Sequence, residues 1–411
     1  MKFRDYQKDI IDRGTNVVRK HRFLYLSMEV RTGKTLTSLG IADNVHTHHL
    51  LFVTKKRAIS SIEDDYKMLN PSYEITVINY ESLHKLNPSD KYDFIVLDEA
   101  HSMGAFPKPS KRAKQVREII SLHNPYVILL SGTPTPESYS QMYHQVYGIP
   151  NNPFAKYKNF YRFADDYVRV TTRRINGFMT NDYSKGRDSI IQQMQPYTIS
   201  YSQKEAGFKS SIEEEIMRVR MNPITYSMCN TLKKTFVLEG SDEVVLADTQ
   251  VKLMQKLHQM YSGTVKFESG NSMVFDKSKA EFIYSTFDGK KIGIFYKFKQ
   301  ELNAIKEVFG DDVVTELDDF NSTDCKAIAL QIVSGREGIS LRNADYIVYY
   351  NIDFSATSYW QSRDRMTTKE RAHNKVYWIF SENGIEDKIY KAVCKKKDYT
   401  IRHFERDLLS L

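Results

Sequence analysis

The stretch MEVRTGKT, residues 28–35, carries side chains that could bind a phosphate. Gly33, Lys34 and Thr35 match the end of the pattern G-x-x-x-x-G-K-[ST], whereas Met28 stands where the pattern has its first glycine. In such a loop the backbone N–H groups surround phosphate oxygens, the lysine neutralises their charge and the hydroxyl binds Mg²⁺. The stretch lies between an apolar run and a helix-like segment, which is the order that a phosphate loop requires. The sequence therefore predicts a nucleotide phosphate site with an atypical first position.

The stretch DFIVLDEAH, residues 93–101, supplies two carboxylates, Asp98 and Glu99, directly after an apolar run. The carboxyl ends of parallel strands lie at one edge of a sheet, and the phosphate loop lies at the same edge. We therefore expect Asp98 to bind Mg²⁺ and Glu99 to orient or deprotonate the attacking water. The two stretches together predict hydrolysis of a nucleotide, with Lys34, Asp98 and Glu99 as catalytic residues.

Short apolar runs rich in β-branched and aromatic residues predict the strands that position these groups. Helix-length polar segments separate the runs, which is typical of parallel strands joined by crossover helices. The sequence therefore predicts an α/β protein with two parallel-sheet lobes, 1–210 and 211–411. The runs fall in two series, at residues 23–28, 50–54, 75–79, 93–97 and 126–131, and at residues 292–296, 327–333, 346–350 and 376–380.

Between residues 135 and 285 the alternation of strands and helices is lost and the pattern becomes mostly helical. We expect a helical insertion that begins near residue 150 in lobe 1. Residues 154–174 alternate aromatic and basic side chains, which is typical either of a channel that stacks bases or of a helix with a buried aromatic face. The helical spacing of the aromatic residues favours the buried face. The run Glu213 to Glu215 predicts a solvated linker that leads into a strand.

The composition indicates an intracellular protein without a structural zinc site. The 411 residues include three cysteines, Cys229, Cys325 and Cys394, which are too far apart in sequence to form a ligand cluster. No apolar run reaches the roughly 18 residues of a membrane span, so we expect no membrane partner. Lys and Arg number 59 against 51 Asp and Glu, a net charge of +8. This balance favours a polyanionic partner, although a lysine-rich proteome explains it equally well.

A series of motifs over nearly the whole chain resembles the superfamily 2 DEAD/DEAH-type helicases and translocases. The opening Tyr-Gln, the NYESL block and the closing Q-x-R-x-R resemble the Swi/Snf-like branch, particularly its compact bacteriophage DNA helicases. The resemblance implies two RecA-like lobes, with ATP and Mg²⁺ in a cleft, and a monomeric protein of the bacterial or phage-infected cytoplasm. The motifs are FRDYQ at 3–7, RTGKT at 31–35, VTKKRAI at 53–59, INYESL at 78–83, DEAH at 98–101, SGTP at 131–134, IFYKF at 294–298, VSGREGISL at 333–341 and WQSRDRM at 360–366.

The resemblance also implies which residues contact the nucleotide. Gln7 would read the adenine edge, while Arg4 and Tyr6 would shape its pocket. Arg363 and Arg365 would act as catalytic arginines, and either could be the arginine finger, because Thr368 stands where many relatives have a further arginine. The remaining nucleotide-binding positions are Arg31, Thr32, Gly33, Lys34, Thr35, Gly338 and Gln361.

The implied function is ATP-driven movement along DNA with strand separation or remodelling. Single-stranded or branched duplex DNA would be the partner, and Ser131 and Thr133 would link hydrolysis to nucleic-acid binding. Three alternatives stay open: a nucleotide-controlled clamp or remodeller that does not unwind, the motor portion of a restriction or defence system, and an RNA helicase. The residues implied to contact nucleic acid are Thr54, Lys55, Lys56, Asn79, Tyr80, Ser131, Thr133, Ser334 and Gly335.

Overall fold

The computed structural model describes residues 3–87, 89–175, 178–207, 211–240, 242–332, 341, 343–355, 359 and 373–394. The chain forms two compact units, Met1–Phe208 (unit 1) and Lys209–Leu411 (unit 2). Each unit contains a six-stranded sheet in which all described neighbouring strands are parallel. The predicted α/β fold with two parallel-sheet lobes is therefore confirmed.

The sheet of unit 1 is apolar on both faces. Side chains of its first strand alternate between two apolar layers, with Phe23 and Tyr25 in one and Leu24 and Leu26 in the other, as the two-residue period of a strand requires. The strands of unit 1 are β1 (Phe23–Met28), β2 (His49–Thr54), β3 (Glu74–Asn79), β4 (Phe94–Leu97), β5 (Tyr126–Leu130), β6 (Thr171–Ile175), β7 (Phe178–Asp182) and β8 (Thr198–Tyr201). The sheet has the order β3-β2-β4-β5-β1-β8, and β6 and β7 form a separate antiparallel pair.

The five apolar runs predicted in this unit are β1 to β5. The sixth strand, β8, was not predicted because its four residues, TISY, are half polar and show no apolar run. It pairs with β1 in parallel and aligns Tyr201 with Met28. The helices of unit 1 are α1 (Asp5–His21), α2 (Lys34–Asn44), α3 (Ile59–Leu69), α4 (Lys111–His123), α5 (Met142–Val146), α6 (Phe160–Tyr167) and α7 (Ser189–Met194).

The aromatic residues between 154 and 174 form part of the apolar core of unit 1. Phe154, Tyr157, Phe160 and Phe163 are all buried and belong to one cluster. Their rings lie 4.8–6.2 Å from neighbouring rings, including that of Tyr143. The buried-face interpretation of this stretch is therefore correct, and the interpretation as a base-stacking channel is wrong.

The sheet of unit 2 contains the four strands predicted in the second series and two further strands, one of which includes the strand expected after Glu215. The strands of unit 2 are β9 (Ser211–Val219), β10 (Val237–Glu239), β11 (Val244–Leu246), β12 (Thr264–Lys266), β13 (Ser272–Val274), β14 (Ile292–Tyr296), β15 (Val313–Val314), β16 (Ala327–Gln331), β17 (Tyr346–Tyr349) and β18 (His373–Ser381). The sheet has the order β15-β16-β14-β17-β18-β9. Its helices are α8 (Pro223–Thr235), α9 (Gln250–Met260), α10 (Ser278–Thr286), α11 (Lys299–Phe309), α12 (Leu317–Ser322) and α13 (Glu386–Val393).

In the segment 135–285, where a mostly helical pattern was expected, the helices are interrupted by antiparallel strand pairs, β6–β7 in unit 1 and β10–β11 and β12–β13 in unit 2. Over the residues that the structure describes, none of the helices combines the length and the apolar character needed to cross a bilayer.

The predicted solvated linker at Glu213 to Glu215 is wrong. These residues lie within β9, an edge strand that pairs with β18 over its whole length. The Glu214 carboxylate accepts hydrogen bonds from the hydroxyls of Tyr359 and Tyr390 and from Nε1 of Trp378, at 2.7–3.0 Å. Alternation along the strand turns Glu214 toward these aromatic donors, which the local charge run does not reveal.

Candidate active site

The phosphate loop joins β1 to α2 without a glycine at its first position. Met28 is the last residue of β1 and pairs with Tyr201, so its backbone is extended and needs no positive φ. The left-handed turns occur later, at Arg31 with φ 64° and at Gly33 with φ 82°. The positive φ at position 33 favours glycine, and a Cβ there would lie 2.3 Å from Nε2 of Gln7, so a larger residue would displace the end of the Gln7 side chain.

Lys34, the first residue of α2, faces the two carboxylates that follow β4. Its Nζ lies 3.1 Å from Oε1 of Glu99 and 3.9 Å from Oδ1 of Asp98, and all three side chains are largely buried. Burial alone would raise the pKa of Glu99, but the charges of Lys34, His101 and Lys55 outweigh it and lower this pKa to about 2. Burial raises the pKa of Asp98, with the neighbouring Glu99 charge acting in the same direction. The structure thus brings together the three predicted catalytic residues that it describes.

Asp98 is held in place by two neighbouring strands. Thr54, the last residue of β2, donates its hydroxyl to Oδ2 of Asp98 at 2.9 Å. Tyr80, which follows β3, donates its hydroxyl to the Asp98 carbonyl oxygen at 2.6 Å. Burial raises the pKa of Tyr80 well above its usual value, so this hydroxyl stays protonated and remains a donor. The other carboxylate oxygen, Oδ1, is buried and has no hydrogen-bond partner among the described residues.

A short polar path connects Glu99 with the loop after β5. Nδ1 of His101 lies 3.3 Å from Oε2 of Glu99 and 3.0 Å from the hydroxyl oxygen of Ser131. The same Ser131 oxygen accepts a hydrogen bond from the backbone N–H of Thr133 at 3.1 Å. His101 therefore links Glu99 to Ser131, a connection that the sequence analysis did not predict although it placed His101 in the DEAH motif.

Three residues at the start of the chain approach the phosphate loop from the other side. Arg4 lies before α1, and its guanidinium donates to the Tyr6 hydroxyl at 3.0 Å. That hydroxyl donates to the Thr32 carbonyl oxygen at 3.0 Å. Gln7 is buried, with Nε2 3.5 Å from the Gly33 carbonyl oxygen. Arg4, Tyr6 and Gln7 thus surround the loop at the positions where adenine recognition is predicted.

Comparison with known proteins gives the family. A model of the SNF2-related domain matches residues 26–274, which is more than half of the chain. The chain belongs to the SNF2-related family. It is 20% identical over 374 residues to the ISWI chromatin-remodeling complex ATPase ISW1 of Saccharomyces cerevisiae, covering 81% of this chain and 31% of that protein. The SNF2-related chain therefore spans about a third of the length of that relative.

Solved structures similar to this SNF2-related chain include two of a SWI2/SNF2 ATPase core from Sulfolobus solfataricus. The core in complex with dsDNA has 16% identity and a TM-score of 0.43, covering 100% of this chain and 93% of that one. The core domain described alone has 16% identity and a TM-score of 0.42, covering 96% and 89% of the two chains.

The SNF2-related chain braces its phosphate loop with residues that sequence reasoning missed. After β8, the backbone N–H of Gln203 donates to the Glu29 carboxylate at 2.7 Å, and its side-chain amide donates to the Val30 carbonyl oxygen at 2.9 Å. The Tyr201 ring stacks on Tyr6 with centroids 4.7 Å apart. Because these residues are about 170 positions from the loop, no local pattern could have revealed them.

Part of the predicted nucleic-acid surface is buried. The side chains of Thr54, Tyr80 and Ser131 are 0% exposed and form the hydrogen bonds described above, so their contact with nucleic acid stays a prediction that these buried side chains do not favour. The motifs place these residues at the carboxyl ends of strands, but only packing decides which way a side chain points. Lys56 is exposed, and Lys55, Asn79 and Thr133 are partly exposed at the same edge.

Six predicted site residues lie outside the described residues. They are Ser334, Gly335 and Gly338 of the motif VSGREGISL and Gln361, Arg363 and Arg365 of the motif WQSRDRM.

The donor set near Lys34 fits Mg²⁺. Oδ1 of Asp98, which is buried and has no hydrogen-bond partner among the described residues, is a hard oxygen ligand, and Thr35 occupies the second position of α2 beside Lys34. No group of three or more His, Cys, Asp or Glu suited to a metal occurs within the described ranges. Mg²⁺ takes one or two protein ligands together with phosphates and waters in sites of this type, so such a group is not required.

Proposed function

We propose that the chain is an ATP-hydrolysing motor that moves along DNA. The observation that carries this proposal is the meeting of Lys34 with Asp98 and Glu99 at the carboxyl edge of a parallel sheet. The same edge carries Lys55 and Lys56 directly after β2. Membership of the SNF2-related family, and a chromatin-remodeling ATPase among its relatives, favour DNA over RNA as the polymer.

When a nucleotide binds, its phosphates would replace Glu99 as the partner of Lys34. Lys34 is held by Glu99, and the phosphates of ATP would compete for its ammonium group. Release from Lys34 would remove the largest favourable charge near Glu99 and raise the pKa of that carboxyl, which makes it a better proton acceptor. Oε1 of Glu99 would then accept the proton of the attacking water, while Gln7 contacts the adenine edge.

Asp98 and Thr35 would hold the Mg²⁺ of the nucleotide, which neutralises charge on the phosphate oxygens. Thr54 and Tyr80 would keep Asp98 in position during this exchange, because each contributes a hydrogen bond from a fully buried side chain. The path from Glu99 through His101 to Ser131 and Thr133 would carry the state of the nucleotide to the loop after β5.

The DNA backbone would contact the carboxyl edge of the unit 1 sheet. Lys55 and Lys56 would bind phosphates through their ammonium groups, and Asn79 through its amide. Cycles of hydrolysis would alternate the grip on the backbone and so move the protein in one direction. We place this activity in the cytoplasm, and the likeness to compact bacteriophage helicases rests on the motifs alone.

Two measurements on the whole chain test the proposal. The first is the ATPase rate with single-stranded DNA, duplex, fork and RNA at one salt concentration. We expect DNA to stimulate hydrolysis and RNA to have little effect. The second is displacement of a triplex third strand compared with unwinding of a fork, since triplex displacement reports movement along duplex and fork opening reports strand separation. Stimulation by RNA alone, or no stimulation by any polymer, would refute a DNA motor.

A further inference from the structure

A charged cluster at the carboxyl end of β3 joins the DNA-facing edge of unit 1 to α4. The side-chain amide of Asn79 donates to Oε2 of Glu81 at 3.0 Å. A guanidinium nitrogen of Arg112, near the start of α4, donates to Oε1 of the same carboxylate. The side chains of Glu81 and Arg112 are 56% and 35% exposed, so solutes can reach the pair. One carboxylate therefore occupies two donors that a phosphate could also use.

The cluster continues the cationic edge formed by the residues after β2. The register of β2 and β3 pairs Thr54 with Asn79, so the segments that follow the two strands start side by side. Lys56 is exposed on the first of these segments. Exposed Lys111 and Lys114 flank Arg112 on α4. Glu81 is thus an acidic group placed against a surface rich in cations.

Beneath this cluster, Tyr80 connects Arg112 to the candidate active site. The Arg112 guanidinium carbon lies 5.3 Å from the centre of the Tyr80 ring, in cation–π geometry. The ring is fully buried, and its hydroxyl donates to the Asp98 carbonyl oxygen at 2.6 Å. A close-packed side chain passes displacements on to its neighbours because no free volume absorbs them. Movement of Arg112 would therefore displace the Tyr80 ring and, through its hydroxyl, Asp98.

We propose that Arg112 binds a backbone phosphate of DNA, that Glu81 occupies this site in the DNA-free protein, and that Tyr80 transmits the exchange to Asp98. A phosphate would replace the Glu81 carboxylate on Arg112 and Asn79, since both anions present two oxygens to a guanidinium. The shift of Arg112 over the Tyr80 ring then adjusts the hydrogen bond to Asp98. This inference rests on the proposed DNA-stimulated ATPase and supplies its coupling between polymer and active site.

Binding measurements test the first half of the proposal. Glu81→Gln removes the competing charge, so DNA affinity should rise about two- to fivefold at moderate salt. Arg112→Met keeps much of the apolar stem and removes the charge, so the slope of log affinity against log salt should fall by about 0.9. Arg13→Met is the matched control, because Arg13 also pairs with an acidic residue, Asp9, on unit 1. A weaker-binding Glu81→Gln, or an Arg112→Met slope equal to that of the control, would overturn the phosphate site.

Tyr80→Phe tests the second half, because it keeps the ring beneath Arg112 and removes only the hydroxyl. We expect DNA affinity close to wild type and a ratio of DNA-stimulated to basal kcat lower by about five- to tenfold, the equivalent of one lost hydrogen bond in the stimulated transition state. If the hydroxyl had a purely structural role, Tyr80→Phe would lower the thermal stability and would not lower kcat selectively while DNA affinity stayed unchanged. Full DNA stimulation in Tyr80→Phe would overturn the coupling.

The failure of this inference can be separated from failure of the proposed function. If the wild-type protein shows no DNA stimulation, the DNA motor itself is refuted. If wild type is stimulated and the variants at Glu81, Arg112 and Tyr80 behave like Arg13→Met, only the exchange at Arg112 is refuted.

Discussion

The ammonium group of Lys34 lies 3.1 Å from a carboxylate oxygen of Glu99, so the two predicted catalytic side chains form an ion pair. In the proposed function, phosphates compete with Glu99 for Lys34, and Glu99 loses this partner before it accepts a proton. Lys34 is thus proposed to bind phosphate and Glu99 to accept the proton, and variants at the two positions should have different effects.

Glu99→Gln should bind ATP at least as tightly as wild type but hydrolyse it at least about 100-fold more slowly. The amide no longer competes for Lys34 with a full charge, and it is a poor base. Equilibrium binding of a fluorescent ATP analogue and single-turnover hydrolysis measure the two effects. Loss of nucleotide binding would contradict the role assigned to Glu99.

Gly33→Ala should weaken nucleotide binding by more than the cost of placing an alanine at a positive φ. Gly33 has φ 82° and a Cβ there would lie 2.3 Å from Gln7 Nε2, whereas Gly207 has φ 80° with nothing within 4 Å. Gly207→Ala is therefore a matched control that shares the conformational cost, about 1 kcal/mol. The ATP affinities of Gly33→Ala and Gly207→Ala are compared under conditions in which both variants are folded. Equal affinities would show that the contact between Gln7 and Gly33 is not needed for binding.

Gln203→Ala should loosen the phosphate loop. The lost hydrogen bond to the Val30 carbonyl oxygen corresponds to about 1 kcal/mol, or roughly a fivefold loss of ATP and ADP affinity. Gln193→Ala, at an exposed position of α7, is the control. Isothermal titration with ADP gives the affinity directly, and an unchanged value for Gln203→Ala would mean that the brace does not shape the loop.

Asp276 supplies a pH-dependent part of the stability of unit 2. Burial alone would raise the pKa of this carboxyl, but hydrogen bonds from Ser278 and Thr225 and from backbone N–H groups lower it overall. A lowered folded-state pKa stabilises the protein above the unfolded value of about 3.9, and this contribution decreases below that value and is lost as pH falls through the lower folded-state pKa. Asp276→Asn should therefore lower the Tm at pH 7, with a difference from wild type that shrinks toward pH 3.

Thermal denaturation from pH 3 to pH 7 measures this effect. Asp248→Asn, at an exposed residue that pairs with Lys252, is the control and should change the Tm little at any pH. A constant Tm difference between Asp276→Asn and wild type across this range would exclude titration of Asp276 as the cause.

The sequence predicted the strands correctly where a pattern of side chains is compatible with only one kind of structure. Apolar runs such as FLYLSM can be satisfied only by burial on both faces, so the predicted strands appeared where expected. The edge strand β8 escaped prediction, and β9 was predicted only in its last part, because their side chains are partly polar and their pairing depends on distant segments.

Within the site, motifs located residues but did not orient them. Tyr80 and Thr54 lie at the strand ends where DNA contacts were expected, yet their side chains turn inward to Asp98. Inward and outward positions are one residue apart in an extended segment, and only the packed neighbours distinguish them. The hydrogen bonds from Gln203 to the phosphate loop could not be predicted for a similar reason, since they depend on the pairing of β1 with β8.

The most direct test of the central claim is steady-state ATP hydrolysis by the full chain, with and without duplex DNA, for wild type and Lys34→Ala. Lys67→Ala, at an exposed lysine of α3, is the control. We predict that DNA stimulates wild type and the control, and that Lys34→Ala loses at least about 100-fold of the activity in both conditions, because the phosphate charge is no longer balanced. A Lys34→Ala rate within a few-fold of wild type would contradict the nucleotide site, and a wild-type rate indifferent to DNA would contradict the motor.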